Sequence, residues 1–98
     1  MKKQTKKPSK KQSFSLTVGT AVVVRGIPFH YIGRIAEVQA RGIVLEDAGW
    51  LADSARWSDF LKNGTINEYE PYPDPVWISW DVIADVTPWR HALPLAQK

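Results

Sequence analysis

The stretch IGRIAEVQARGIVLEDAGW, residues 32–50, sets two apolar runs on either side of a polar Gln39-Ala40-Arg41-Gly42 corner. A strand exposes successive side chains on opposite faces, so apolar runs broken by a short glycine-bearing corner specify two paired strands. Upstream, residues 20–25 (TAVVVR) are rich in β-branched side chains and predict a strand. Gly26-Ile27-Pro28 ends it, because proline donates no ladder hydrogen bond. Residues 29–38 form the second strand, with Phe29, Tyr31 and Ile35 on one face and Ile32, Ala36 and Val38 on the other. Gly33 lies within it and predicts a bend. Residues 43–47 are the third strand.

Beyond Trp50 the period changes. Asp53-Ser54 offers an N-cap, Trp57 and Leu61 fall four residues apart on one helical face, and Asn63-Gly64 supplies a C-cap. This predicts a short helix over 54–63. Residues 67–75 (NEYEPYPDP) carry three prolines and three acids and read as a linker, since proline is excluded from central strands. Residues 76–80 (VWISW) and 82–86 (VIADV) return to strand character with Trp80-Asp81 as the corner, and residues 87–98 read as an extended tail. The expected fold is therefore mainly β: a small, bent, five-stranded barrel with one short inserted helix. Closing such a short meander is the economical way to hide its edges.

Ninety-eight residues allow one domain, placed at 15–98 behind a basic arm at 1–14. Six of the thirteen Lys/Arg, namely Lys2, Lys3, Lys6, Lys7, Lys10 and Lys11, lie in the first twelve positions with no acid among them. The remainder sets seven basic residues against ten acidic ones, so a cationic arm precedes a mildly acidic body. Such an arm buries too little apolar surface to offset its ordering entropy and is expected to be disordered. It is either a solubilising terminus or an attachment to phosphate backbones through counterion release. With no cysteine there is neither a disulfide framework nor a thiolate metal site. No run approaches the about 18 apolar residues of a membrane span, and no apolar core follows the basic start as in a signal peptide. A cytoplasmic protein with no membrane contact is the expectation.

The apolar rhythm resembles that of the Sm-like family of small β-barrels. Val22-Val23-Val24-Arg25-Gly26, Gly33-Arg34-Ile35 and Ile43-Val44-Leu45-Glu46-Asp47-Ala48 are similar to the family's first motif, and Trp77-Ile78-Ser79-Trp80-Asp81-Val82-Ile83 resembles its second. The resemblance spans about 65 residues and rests on spacing. It implies an Sm-like (or SH3-like) barrel and assembly into a homo-oligomeric ring. It implies no uridine pocket: where the family carries Asp/Asn the corner here is Gln39-Ala40-Arg41-Gly42, and the family's Arg-Gly is replaced by Ser79-Trp80. A looser likeness, through the Leu-Glu-Asp-Ala-x-Trp run, is to small proteins of phages and mobile elements.

Candidate chemistry is sparse. His30 and His91 are the two imidazoles, and no nucleophile elbow accompanies either, so the chain reads as a non-enzyme. Asp47, Asp53, Glu68, Glu70 and Asp74 match no calcium-loop spacing, and Gly26, Gly33 and Gly42 fall at strand corners rather than in a phosphate loop. Neither a metal nor a cofactor is expected. Aromatics interleaved with arginine, in Tyr31/Arg34, Arg56/Trp57 and Trp89/Arg90, are the type of set that stacks bases and neutralises phosphate. Trp50, Trp57 and Trp77 are assigned to the core or a subunit interface. Tyr31, Arg34, Trp80, Trp89 and Arg90 are the expected stacking or interface residues, with Arg41 and the six arm lysines on nucleic acid. The expected function is a non-enzymatic ring that binds RNA or single-stranded DNA. The alternative is an accessory protein of a phage or mobile element that binds a protein partner, or a small nucleotide at subunit interfaces.

Overall fold

Three consecutive valines, Val22, Val23 and Val24, are completely buried, so the strand that carries them is covered on both faces. A computed structural model describes residues 14–98 of the chain; the six arm lysines lie outside the described residues. The elements in order are β1 (Ala21–Gly26), β2 (His30–Val38), β3 (Gly42–Asp53), α1 (Trp57–Asn63), β4 (Glu68–Pro71), β5 (Val76–Ser79), a 3-10 turn (Trp80–Val82) and β6 (Ile83–Pro88). All strand pairs are antiparallel, in the order β4-β3-β2-β1-β6, with β5 also on β3.

The twelve-residue β3 organises the sheet. Its first half pairs with β5 (Gly42↔Ser79 to Leu45↔Val76) and its second half with β4 (Gly49↔Pro71 to Asp53↔Glu68). Along its other edge it pairs with β2, whose register shifts between Ile32 and Arg34, across Gly33. The bend expected at that glycine is therefore a bulge, which increases local twist.

Two apolar clusters form on opposite faces. Val22, Val24, Ile35, Ile43, Leu45, Ala48 and Ile78 make one; Val23, Ile32, Leu51, Phe60, Ile66, Tyr69 and Trp89 make the other. The period-2 alternation of β1 and β2 thus feeds both cores, with Ile35 in one and Ile32 in the other. Burying each such aliphatic side chain stabilises the fold by about 1.5–3 kcal/mol before chain entropy is set against it.

Several expectations need correction. There are six strands, not five, because β4 lies inside the proline-rich segment read as a linker. Tyr69 explains this: it is fully buried, and its hydroxyl donates to the Ile32 carbonyl oxygen at 3.2 Å. Gly49 permits it, since a β-carbon there would lie 2.2 Å from the Tyr69 ring. Pro71 terminates the strand and Pro73 and Pro75 fall beyond it. β3 runs to Asp53 rather than ending at Asp47. The helix begins at Trp57 instead of residue 54, because the Asp53 carboxylate accepts from the Ala55 N–H at 2.8 Å and closes a turn of its own. Gly64 closes the helix in the left-handed conformation, as expected.

The helix buries Phe60, while Trp57 and Leu61 pack half-buried beside it. The tail is not free either. Trp89 N–H donates to the Ala21 carbonyl, and Lys98 exchanges two backbone hydrogen bonds with Tyr69 at 3.0 Å each. The sheet is not closed, since no pairing joins β5 to β6 among the described residues.

Candidate functional site

Two open clefts lie at opposite ends of the β2–β3 hairpin. The larger, of about 500 Å³, is lined by Ala40, Arg41, Trp77, Ser79, Trp80 and Asp81. The β2–β3 corner supplies the first two residues and the β5–turn junction the rest. Gln39 N–H donates to the Gly42 carbonyl at 2.9 Å and closes the corner; Trp80 N–H donates to the Arg41 carbonyl at 3.1 Å and ties the junction to it.

Gln39 holds both indoles. Its side-chain oxygen accepts from Trp77 Nε1 at 2.9 Å, and its backbone carbonyl accepts from Trp80 Nε1 at 2.9 Å. Both polar ring atoms are thereby spent on the scaffold. Trp77 remains 52% exposed, while Trp80 is half-buried against the first core. A β-carbon at position 42 would lie 2.7 Å from the Trp77 ring, so only glycine lets that indole lie so close to the β3 backbone. The Ser79 hydroxyl accepts from the Asp81 N–H at 3.1 Å and caps the 3-10 turn. The result is a pre-positioned aromatic wall beside a guanidinium.

The charges around it are distributed unevenly. Among the described residues the ion pairs are Arg25–Asp85 and Arg34–Asp47. Arg41 belongs to neither and is exposed. Arg34, expected to stack or line an interface, is half-buried and directed to Asp47 at 3.3 Å, so its charge is already partly answered within the protein.

The smaller cleft, about 180 Å³, is lined by Phe29, Trp50 and Tyr72. Phe29 meets Trp50 edge-on with ring centres 5.7 Å apart, and Tyr31 stacks on Tyr72 at 6.4 Å. Burial raises the Tyr31 phenol above its ordinary value, with Tyr72 adding to the shift.

The structure therefore joins Arg41 and Trp80 in one cleft and places Tyr31 behind the other. Trp89 is a correction: it is 5% exposed, its ring packs 4.8 Å from Phe60, and Nε1 donates to the Ala92 carbonyl. It belongs to the second core because its backbone extends the β1–β6 pairing and turns the ring under the helix. Arg90 beside it is exposed and lines neither cleft. Trp77, expected in the core or a subunit interface, lies outside the core. The signal was present in VWIS: Ile78 is buried, so period-2 alternation turns Trp77 outward. Gln39, Phe29 and Tyr72 carry no comparable signal, because their roles depend on non-local neighbours.

His91 Nε2 is 2.9 Å from the Leu61 carbonyl oxygen, and the His30 ring packs 5.8 Å from Trp57. Among the described residues no three metal-ligating side chains converge, and no helix is long and apolar enough to cross a membrane. Comparison of the chain with protein-family models, with curated proteins and with solved structures finds no match.

Proposed function

We propose that this is a non-enzymatic cytoplasmic protein that binds single-stranded RNA or DNA through the Arg41–Trp77–Trp80 cleft, with the arm lysines adding phosphate contacts. One observation carries the reading: an exposed, unpaired arginine stands beside two indoles whose N–H groups are both anchored on Gln39. Ring faces held in advance can accept a base with little loss of side-chain entropy, and each stacked base contributes about 1–3 kcal/mol. Arg41 supplies the cation that a phosphate requires, and the six lysines extend that field along the strand.

The finer architecture belongs to the same proposal. The order β6-β1-β2-β3-β5, bulged at Gly33, supports reading the sheet as an open form of a small barrel of the Sm-like or SH3-like kind. The outer edges of β5 and β6 are unpaired among the described residues, and pairing them between copies would complete a ring. A ring would align one cleft per subunit along a bound strand.

The test is fluorescence anisotropy of labelled twelve-nucleotide U and dT oligomers with the full chain at two salt concentrations, alongside native mass spectrometry. Arg41→Ala and Trp77→Ala are each expected to weaken binding about 5- to 100-fold. Replacing the six lysines by glutamine should flatten the salt dependence. Oligomers that bind the two cleft variants as well as the original would overturn the reading, and a monomeric mass in every condition would remove the ring.

A further inference from the structure

Asp81 adds an acid to the lining of the Arg41–Trp77–Trp80 cleft, where a site for phosphate alone would exclude negative charge. It is exposed, and among the described residues its carboxylate belongs to neither ion pair and accepts no hydrogen bond. Arg41 is equally uncommitted, so two opposite charges share one cavity of about 500 Å³ without pairing. A ligand that answers both carries an anion and, apart from it, hydrogen-bond donors. The backbone under Asp81 is fixed. Its N–H donates to the Ser79 hydroxyl oxygen at 3.1 Å, and the preceding Trp80 is tied to the Arg41 and Gln39 carbonyls. The Ser79 hydroxyl donates to no acceptor among the described residues, so its proton is available as well.

The polar lining is therefore an acceptor-only carboxylate, a donor-only guanidinium and one hydroxyl, beside an indole that is 52% exposed. This set discriminates between the bases, whose Watson–Crick edges are free to be read in a single strand. Guanine alone presents two adjacent donors on that edge, N1–H and the N2 amino group, which match the two oxygens of a carboxylate. Cytosine and adenine each offer one amino donor beside a ring nitrogen that is itself an acceptor and repels a carboxylate oxygen. Uracil sets its single N3–H between two carbonyl oxygens. Guanine O6, next to N1–H, is an acceptor for a hydroxyl proton such as that of Ser79.

We infer that Asp81 makes this cleft a guanine-selective subsite for single-stranded nucleic acid. Its carboxylate accepts from N1–H and N2–H, the Trp77 face stacks on the base, and Arg41 meets a phosphate. The inference rests on the nucleic-acid reading of the cleft and adds the base that it prefers. A bidentate pair of this kind favours its base by about 5- to 150-fold in affinity over one that cannot form it.

The experiment is anisotropy of labelled twelve-nucleotide RNAs titrated with the full chain. Four are repeats of UUG, UUA, UUC and UUI, in which inosine keeps N1–H and lacks the amino group; the fifth is all uridine. The UUG repeat is expected to bind at least about fivefold tighter than the uridine strand, with the UUI repeat between them. Asp81→Ala removes an exposed carboxylate and keeps the backbone bond to Ser79. It should bring the UUG repeat to within about twofold of the uridine strand, which itself binds as tightly as before or more so and thereby reports an intact cleft. Arg41→Ala should weaken all five RNAs alike, because phosphate contacts carry no sequence information. Equal affinity of the original protein for all five overturns the inference and leaves the nucleic-acid reading standing. A guanine preference undiminished in Asp81→Ala does the same. Binding of none of the five removes that reading and the inference with it.

Discussion

Replacing Gly49 with alanine should destabilise the protein by about 2–4 kcal/mol, although it adds only a methyl group. The new carbon would lie 2.2 Å from Tyr69 Cζ, 2.4 Å from its hydroxyl oxygen and 2.5 Å from Cε2. Ordinary carbon contacts are about 3.5–4.0 Å, so the ring has to retreat by more than an ångström. It has nowhere to go, being fully buried and tied to the Ile32 carbonyl oxygen. Overpacking accounts for about 1–3 kcal/mol, and stretching or losing a buried hydrogen bond for about 1 more. The melting temperature should fall by about 8–30 °C, taking about 4–8 °C per kcal/mol for a domain of this size.

Urea denaturation followed by circular dichroism measures the loss, and a double-mutant cycle with Tyr69→Leu isolates its cause. Leucine lacks the two ring carbons and the hydroxyl oxygen that meet the methyl. The two substitutions should therefore destabilise together by at least about 1.5 kcal/mol less than their separate effects summed. Additivity to within about 0.5 kcal/mol, or a Gly49→Ala protein as stable as the original, would refute the account of how β4 is locked onto β3.

Three further outcomes are expected. Gln39→Ala should weaken oligonucleotide binding several-fold by releasing the Trp77 indole, while Trp80 keeps its bond to the backbone carbonyl; anisotropy and tryptophan emission read both. Trp89→Ala should cost about 3–5 kcal/mol in urea denaturation, because it empties the space beneath Phe60 and His91. Burial pushes the Tyr69 phenol well above its ordinary value of 10.0. The folded state therefore holds a proton that the unfolded chain releases above pH 10, so stability is level below that pH and declines above it. Tyr69→Phe should make that alkaline decline shallower in melts between pH 8 and 11, leaving the smaller part due to Tyr31.

The strands β1, β2, β5 and β6 were legible within a residue or two of their ends, and so was the left-handed stop of the helix at Gly64, because alternation and capping act between neighbours in sequence. The hairpin built on Gln39-Ala40-Arg41-Gly42 was legible for the same reason, and with it the position of Arg41 at an exposed corner.

What local pattern could not settle was which surface each aromatic would face. Trp89, expected at a contact surface, is drawn under Phe60 by the β1–β6 pairing, and Trp77, expected in the core or a subunit interface, faces outward on an edge strand, opposite the buried Ile78. The prolines around β4 argue for a linker, yet a single tyrosine meeting Gly49 about twenty residues upstream in the chain outweighs them. Burial of that ring is a long-range contact, as are the grip of Gln39 on two indoles and the gathering of Phe29, Trp50 and Tyr72. Their energies depend on distances that exist only once the sheet has assembled, whereas strand rhythm and turn chemistry are properties of adjacent residues.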